Sequence, residues 1–469
     1  MKWLRWGATV LAIALVLAAC STEQDVAALE AQAKGPNTPD TYLIVSQGSL
    51  PSSLPLVAHA NGDAMRAFHP EAGFASVVTA NPNAYKRYGT VTRDVTVNWI
   101  DPGKQVALEV DFANPPASGD DDFFFDLQWG HDAVNAVEAW NAGVRGSGVT
   151  VAVLDTGFDT DHPDIAPNFD AERSASFVPN EPLEYGIAGD VFSHGTHVAG
   201  TIAAADNGFG VIGVAPEATL MLVKVVSDEG SGDFTWVMSG IVHAVDNGAD
   251  IINMSLGALL YKAGFVTEDD EGNEVVVTAR EVQELRVALE RVVRYAVQKG
   301  VLVVASAGNE AIDFDHSGAL VTLPGSAPGV VTVGATAPVG WATDPANAFL
   351  YNLASYSNYG RSHIDLAAPG GDVVYPGEEN CTVAGLARPC WVFDLVFSTG
   401  SAGSYYWSGG TSMAAPHVAG VAALLLSEHG GSGSLKPAQL ESLLMKRAMD
   451  LGQRGNDPVY GKGHVATGY

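Results

Sequence analysis

The segment Val151-Ala-Val-Leu-Asp-Thr-Gly157 is an apolar, β-branched run that ends on an acidic residue. Two later segments, His194-Gly-Thr-His-Val-Ala-Gly200 and Gly410-Thr-Ser-Met-Ala-Ala-Pro416, set a histidine and a serine among small residues. A serine hydroxyl is a weak nucleophile at neutral pH, so an imidazole must take its proton as the bond to a carbonyl forms. A buried carboxylate then holds that imidazole in the correct tautomer. The three segments therefore predict acyl-transfer chemistry.

The order of these residues along the chain separates the known serine hydrolase folds. Asp155 precedes His194, which precedes Ser412. This is the subtilisin order, whereas chymotrypsin-like chains run His, Asp, Ser and α/β-hydrolases run Ser, Asp, His. Together with Ser306-Ala-Gly-Asn309, the three segments resemble the signature blocks of the subtilisin-like serine proteases, the subtilases of peptidase family S8. The resemblance extends from about Gln128 to the C-terminus.

From residue 128 onward, apolar strand-like runs alternate with helical patterns, which predicts an α/β fold. Buried strands are expected at residues 148–154, 220–226, 251–255, 301–306 and 330–335, and helices at residues 198–205, 236–247 and 282–299. We expect a three-layer, subtilisin-like fold with a mainly parallel central sheet flanked by helices. The active site should lie at the carboxyl ends of the strands.

The resemblance implies a role for each residue of the site. It assigns the catalytic triad to Asp155, His194 and Ser412, and the side chain that stabilises the oxyanion to Asn309, with the Ser412 amide as its partner. The alternatives are that Ser412 or Thr411 only caps the helix that follows and that the Gly-Asn pair is an ordinary turn. Neighbouring residues of the same types compete for these roles, namely His197, His417, Asp159, Asp161 and Asp164.

The resemblance also outlines the substrate pocket. It sets Ser255, Leu256 and Gly257 along one side of the S1 pocket, and Ser306, Ala307 and Gly308 along the other. Both segments can pair with a peptide backbone. Because no lining carboxylate is evident, we expect broad specificity with an apolar or aromatic P1 side chain. Two segments that look inserted, residues 259–281 and 372–403, could narrow the cleft.

Calcium is the structural ion that the resemblance implies, because hard oxygen ligands suit it. The corresponding ligand positions are the side chains of Asp164 and Asn207, a carboxylate from Asp121 or Asp122, and loop carbonyls of Ala205, Phe209 and Val211. The alternative is an ordinary Asn-Gly turn among surface acids.

The N-terminal residues predict export. Lys2 and Arg5 precede an apolar run that ends in small residues, which is typical of a signal peptide over residues 1–19. Leu17-Ala-Ala-Cys20 resembles the lipobox of bacterial lipoproteins, so Cys20 would carry a membrane-anchoring lipid. An ordinary signal peptide with a chance cysteine is the alternative. We therefore expect a cell-envelope lipoprotein or an extracellular protein.

The region between the leader and the catalytic domain divides in two. Polar residues 20–40 predict a lipidated tether. Residues 41–120 match a small α+β pro-domain in position and size, with strands at 41–45 and 94–100 and with residues 64–68 as part of a helix. Such a pro-domain acts as an intramolecular chaperone and an inhibitor of its own enzyme. The catalytic domain would then span residues 121–469.

Only three cysteines occur in the chain. If Cys20 carries a lipid, Cys381 and Cys390 remain as an even pair in an oxidising compartment, where a disulfide is expected. Two free thiols are the alternative. A metal site is disfavoured, since no further Cys or His lies beside the pair at ligand spacing.

The chain is strongly acidic, with a formal charge of -29 from 53 Asp and Glu against 24 Lys and Arg. This charge disfavours nucleic acid as a partner. The prediction is a monomeric serine endopeptidase that acts on proteins or peptides and is made as a zymogen. A catalytically inactive, peptide-binding lipoprotein is the main alternative. An esterase of the α/β-hydrolase type is a third, but the triad order and the absence of a Gly-x-Ser-x-Gly elbow at Ser412 oppose it.

Overall fold

A computed structural model describes residues 39–101, 103–108, 120–188, 191–268 and 274–469. The predicted leader, Cys20 and nearly all of the tether lie outside the described residues. The helices are α1 (Leu54–Asn61), α2 (Trp129–Val134), α3 (Ala136–Asn141), α4 (His194–Ala203), α5 (Phe234–Asp246), α6 (Ala279–Lys299), α7 (Thr411–Glu428) and α8 (Pro437–Arg447). Short 3-10 helices span Pro82–Tyr85, Phe125–Leu127, Trp341–Thr343 and Cys390–Asp394.

The strands fall into a small N-terminal group and a larger group that follows it. The first are β1 (Asp40–Val45), β2 (Ala64–His69), β3 (Phe74–Thr79), β4 (Thr90–Arg93), β5 (Thr96–Asn98) and β6 (Gln105–Ala107). The others are β7 (Thr150–Asp155), β8 (Ala175–Ser176), β9 (Thr219–Lys224), β10 (Ser231–Asp233), β11 (Ile251–Met254), β12 (Ala258–Tyr261), β13 (Gly264–Glu268), β14 (Glu274–Thr278), β15 (Leu302–Ser306), β16 (Leu320–Leu323), β17 (Val330–Ala337), β18 (Asn352–Leu353), β19 (Leu366–Pro369), β20 (Asn380–Val383), β21 (Leu386–Pro389), β22 (Val396–Thr399) and β23 (Tyr405–Ser408).

The large sheet has the order β18-β17-β15-β11-β7-β9-β8, with β19 also paired to β17. Every pairing in it is parallel except that of β17 with β18. Both faces of β7, an inner strand of this sheet, are buried: Val151 and Val153 join one hydrophobic cluster, and Ala152 and Leu154 join another. Burial on both faces explains why the predicted strands have continuous apolar runs rather than alternating ones.

Helices cover the two faces of this sheet. The cluster on one face contains residues of α4 and α7, and the cluster on the other face contains residues of α5 and α6. The longest of the described helices, α6, has a capping box between Thr278 and Glu281 at its N-terminus. Gly300, whose φ is 102°, caps its C-terminus. Such caps satisfy terminal backbone groups that have no partner within the helix. The three-layer α/β fold that the sequence predicted is confirmed.

The N-terminal strands form an antiparallel sheet, β2-β3-β1-β4, with α1 packed on one face. Its other face contributes Leu43, Val45 and Phe74 to the cluster that contains α5 and α6. The predicted helix at residues 64–68 is wrong, because these residues form β2. They pair with β3 over the register Ala64↔Val78 to His69↔Phe74, and this partner outweighs the local helix preference of Ala and Met.

The segments that look inserted form hairpins. Within residues 259–281, β13 and β14 pair with each other, and within residues 372–403, β20 pairs with β21. Cys381 and Cys390 form a disulfide that closes the second hairpin. Among the helices of the described ranges, none is both long enough and apolar enough to cross a membrane.

Candidate active site

The first two residues of the predicted triad meet where β7 ends and α4 begins. Asp155 is the last residue of β7, and His194 is the first residue of α4, which Ser193 caps by accepting the Thr196 amide. Nδ1 of His194 lies 2.7 Å from Oδ1 of Asp155, which also accepts the Thr156 amide at 2.8 Å. The carboxylate thereby fixes the orientation and the tautomer of the imidazole.

The opposite nitrogen of this imidazole is available for proton transfer. Nε2 of His194 is buried and has no hydrogen-bond partner in the part of the chain that the structure describes. The His194 side chain is only 6 % exposed, and Asp155 is fully buried. A neutral imidazole held in this way presents a lone pair for accepting a proton.

Ser412 lies in the first turn of α7, after Gly410. Its hydroxyl donates to the Ser255 carbonyl at 3.1 Å, and the Ser255 hydroxyl donates back to the Ser412 carbonyl at 2.7 Å. This reciprocal pair ties the start of α7 to the segment after β11. Since the first amides of a helix have no acceptor within the helix, the Ser412 amide can serve an anion.

Asn309 is oriented by Thr411, to which the sequence analysis gave no role in the site. Its Oδ1 accepts both the amide of Thr411 at 2.9 Å and the hydroxyl of Thr411 at 2.8 Å. Because these donors fix the amide oxygen, the Nδ2 group of Asn309 must point the other way. The Thr411 hydroxyl also accepts the amide of Gly308, whose φ of +99° favours glycine. The only sequence signal was that Thr411 precedes the predicted nucleophile.

The two predicted sides of the substrate pocket are adjacent in the structure. The Ser306 hydroxyl donates to the Leu256 carbonyl at 3.3 Å, which joins the segment Ser255 to Gly257 with the segment Ser306 to Gly308. The sequence analysis missed a carboxylate here. Oε2 of Glu310 lies 2.8 Å from the position that a Cβ on Gly308 would take, and it accepts a hydrogen bond from the side-chain Nδ2 of Asn358 at 2.6 Å.

The competing histidines are packed side chains. Nε2 of His197 contacts the Tyr406 carbonyl at 3.1 Å, and Nδ1 of His417 contacts the Met413 carbonyl at 2.8 Å. Burial lowers the pKa of each to about 3. Neither His197 nor His417 contacts Asp155 or Ser412 through a hydrogen bond among the described residues.

Residues 96–101 and 103–108 flank this site, and we call these two segments the strap. On one side of the site, β5 pairs antiparallel with β10. The amides of Trp99 and Ile100 both donate to the Gly230 carbonyl, at 2.9 and 3.2 Å, and the Gly257 amide donates to the Trp99 carbonyl at 2.7 Å. The strap is thus held between β10 and one side of the predicted pocket.

Trp99 anchors this half of the strap. It is only 1 % exposed, and its indole N–H donates to the Gly232 carbonyl at 2.9 Å. Its ring meets Phe234 edge-on, with centroids 4.8 Å apart.

The other half of the strap lies beyond the nucleophile. β6 pairs antiparallel with β23, which ends three residues before Thr411, and the Gly409 amide donates to the Lys104 carbonyl at 3.4 Å. The strap therefore has backbone contacts on both sides of Ser412. Added strands of this kind are how extended peptides bind protein surfaces.

The predicted calcium residues surround the loop at residues 205–211. The Asp164 carboxylate accepts the Val211 amide at 2.9 Å and the Tyr405 hydroxyl at 3.0 Å, and Asn207 contacts it through Nδ2 at 3.4 Å. A second carboxylate, that of Asp122, also contacts this loop, and its Oδ1 accepts the Asn207 and Phe209 amides. Asp121 is exposed and makes neither contact.

Asp122 has an unusual environment. Its Oδ2 is buried, and within the described residues no donor reaches it. Its carboxylate also lies within a group formed with Asp120, Asp121 and Asp206, whose ligand atoms are all within 4.8 Å of one another. Burial, followed by the contact with Asp120, raises the pKa of Asp122 to about 8. A cation at this position would relieve the repulsion, so these oxygen ligands fit calcium.

Known proteins share both the sequence pattern and the fold. The model of the subtilase family (Peptidase_S8) matches residues 146–463. Subtilisin NAT of Bacillus subtilis subsp. natto is 37% identical over 339 residues, covering 72% of this chain and 70% of the relative. An intracellular serine protease of Paenibacillus polymyxa is 35% identical over 71% of this chain and 84% of its own.

Two solved structures have a similar fold. A lanthipeptide protease, 30% identical, superposes with a TM-score of 0.57 over 73% of this chain and 94% of its own. The epidermin leader peptide processing serine protease of Staphylococcus aureus superposes with a TM-score of 0.68 over 92% of this chain and 97% of its own, at 21% identity. At that identity, the second likeness concerns the fold alone.

Proposed function

The chain belongs to the subtilase family and is a subtilisin-like serine protease, and from this premise we propose that it is an endopeptidase made as a zymogen. The observation that carries the proposal is the Asp155–His194 hydrogen bond at the carboxyl end of β7, beside the ends of β11 and β15. Ser412 is hydrogen-bonded to Ser255, just after β11, and Asn309, just after β15, is hydrogen-bonded to Thr411.

In the proposed mechanism, the Ser412 hydroxyl rotates from the Ser255 carbonyl toward Nε2 of His194. As its oxygen attacks the substrate carbonyl, His194 takes the hydroxyl proton, and Asp155 stabilises the resulting imidazolium. His194 then gives this proton to the leaving amine, which leaves an acyl-enzyme on Ser412. Water attacks the acyl-enzyme in the second half of the reaction, again with His194 as the base.

Asn309 and the Ser412 amide would stabilise the oxyanion of each tetrahedral intermediate. Support comes from the two Thr411 donors on Oδ1 of Asn309, which leave Nδ2 as the free donor group. A donor that is fixed before the reaction needs no reorganisation when charge develops. Thr411 is therefore a positioning residue in this proposal.

For the substrate, we propose broad specificity with an apolar or aromatic P1 side chain. Support comes from the two adjacent pocket segments and from Gly257 and Gly308, which add no side chain to the pocket. Glu310 adds a negative charge beside Gly308, so basic P1 residues should be tolerated as well.

The zymogen proposal assigns residues 41–120 to a pro-domain and residues 121–469 to the catalytic domain. Support comes from the strap, which lies along both sides of the site as a bound peptide would, and from the way the N-terminal sheet packs on the catalytic helices. Arg93 pairs with Glu281 of α6 at 2.9 Å, Arg291 of α6 donates to the Ser46 carbonyl, and His69 contacts Ser239 of α5. The strap would exclude substrate until it is cut.

We propose calcium as a structural ion held by Asp122, Asp164, Asn207 and carbonyls of the loop at residues 205–211. Support comes from the buried, unpaired Oδ2 of Asp122 within the described residues. The ion would neutralise the negative charge of Asp122 and of the three carboxylates around it. It would also connect the segment that contains Asp122 to the loop at residues 205–211. It would take no part in the acyl transfer.

Lipidation at Cys20 and a place in the cell envelope remain proposals from the sequence. The mature end of a lipoprotein carries several acyl chains, which anchor far better than one. Cys20→Ser should therefore prevent the mass increment of a lipid on the mature N-terminus and move the protein from the membrane fraction to the medium. An unmodified wild-type N-terminus would contradict lipidation.

The test of the enzymatic proposal is Ser412→Ala. This variant should fold, hydrolyse no peptide and accumulate unprocessed, while the matured wild type should release peptides from a denatured protein mixture. Sequencing those peptides would give the P1 preference. Hydrolysis by purified Ser412→Ala would refute the mechanism, and a folded, mature wild type without any hydrolysis would support the alternative of an inactive peptide-binding protein.

A further inference from the structure

We propose that Trp391 forms a subsite for a basic side chain, lysine or arginine, on the leaving-amine side of the scissile bond. This proposal rests on the proposed function, since it treats the strap as a guide to how a substrate lies in the cleft. It gives a role to the segment at residues 372–403.

The first step is the position of Lys104. Its carbonyl accepts the Gly409 amide, and the three residues after it pair with β23. Upstream, Ile100 is bound to Gly230 on the opposite side of the site. A peptide bond facing Ser412 would therefore lie between Ile100 and Lys104, which sets Lys104 on the leaving-amine side.

The second step is what the Lys104 side chain contacts. Its Nζ lies 3.9 Å from the centroid of the Trp391 ring. In the described part of the chain, no carboxylate lies within 4.0 Å of this ammonium group, although the protein has an excess of acidic residues. The aromatic face is therefore the partner of this charge, and tryptophan is the strongest aromatic partner for a cation.

The third step is that the Trp391 ring is held in place. Trp391 lies in the 3-10 helix Cys390–Asp394, directly after the disulfide that closes the β20–β21 hairpin. It is half-buried against the main hydrophobic cluster. At the end of the same short helix, the Asp394 carboxylate accepts the Gly340 and Trp341 amides at 2.7 Å. A ring fixed in this way can bind a side chain without paying much ordering entropy.

Once the strap has been removed, the same surface would face the substrate. Lysine and arginine fit it, because both carry a cation on a long apolar stem, and the guanidinium of arginine also stacks on aromatic rings. The negative charge of the whole protein favours the approach of such substrates, but it gives no preference for one position of the peptide.

The experiment uses processed enzyme and quenched fluorescent peptides that differ at one position. Lys, Arg, Gln or Glu is set in turn at each of the first four residues after the scissile bond, because a bond between Ile100 and Lys104 makes Lys104 one of these four. At one of these positions, Lys and Arg should raise kcat/KM about 5- to 10-fold over Gln, mainly through KM. In Trp391→Leu this ratio should fall to about one, while the Gln peptide stays within about twofold of wild type.

Trp391→Phe is the matched control. It keeps an aromatic face and should keep part of the preference, and the melting temperature of each variant reports folding independently. Equal rates for Lys, Arg and Gln at all four positions, or an unchanged preference in a folded Trp391→Leu, would overturn the subsite alone. Failure of the wild type to cleave any peptide would overturn the proposed function, and the subsite with it.

Discussion

Replacing Trp99 by alanine should open the strap without altering the mature enzyme. Trp99 is 1 % exposed, meets Phe234 edge-on and donates its indole N–H to the Gly232 carbonyl. Truncation of a buried Trp to Ala costs about 3–5 kcal/mol. If about 3 kcal/mol of this loss falls on closure of the strap, the open state should become about 100-fold more populated.

The assay is the rate at which a fluorophosphonate labels Ser412 in unprocessed protein, measured on the full-length band after short pulses. Trp99→Ala should be labelled about 100-fold faster than wild type and should process itself sooner. Trp99→Phe is the matched control. It keeps a ring against Phe234 but loses the bond to Gly232, worth about 1 kcal/mol, so its labelling rate should rise only about fivefold.

A second control follows from the chemistry of maturation. If processing removes residue 99, the mature wild-type and Trp99→Ala enzymes have the same sequence and should have the same kcat and KM. Equal labelling of unprocessed wild type and unprocessed Trp99→Ala would refute the view that the strap occludes the site. A difference between the two mature enzymes would show that residue 99 is retained.

Three further predictions concern the oxyanion donor, the calcium site and the dependence of stability on pH. Asn309→Ala should lower kcat about 100- to 1,000-fold, which is the loss in kcat known for removing one such donor in a subtilisin, with little change in KM. Thr411→Val should cause a smaller loss of kcat. An unaltered kcat in a folded Asn309→Ala would contradict the oxyanion role. In the Ser412→Ala background, which cannot digest itself, calcium should raise the melting temperature, and each tenfold rise above its dissociation constant should add about 1.4 kcal/mol to the free energy of unfolding. Asp122→Asn should reduce this response, and identical melting curves with calcium and with chelator would refute the site. The free energy of unfolding should fall as pH drops from about 6.5 to about 4, because burial lowers the pKa of His131 to about 4 and the unfolded state therefore takes up the proton first. Each pH unit in this window should cost about 1.4 kcal/mol for that residue. His131→Gln should make the decline less steep, and an equal slope in both proteins would contradict this assignment.

The sequence alone determined the layered architecture, and the reason is local. Burial leaves a pattern in neighbouring residues: the four middle positions of β7 are all apolar because both of its faces are covered, and α6 carries its own capping box and C-terminal glycine. The three blocks around Asp155, His194 and Ser412 could be found for a similar reason. Each is a short segment in which small residues let the backbone approach a reacting side chain, and the order of the blocks indicated the fold.

Other features depend on residues that are distant in sequence. Thr411 orients Asn309 across 102 positions, and Trp99 binds Gly232 across 133. Residues 64–68 became a strand only because β3 lies beside them. Neither the contact of Asp122 with the Asn207 amide nor the contact of Lys104 with Trp391 has a local pattern. Hydrogen bonds and ring contacts depend on distances of a few ångströms, and for residues far apart along the chain, only the packing of the whole fold sets those distances.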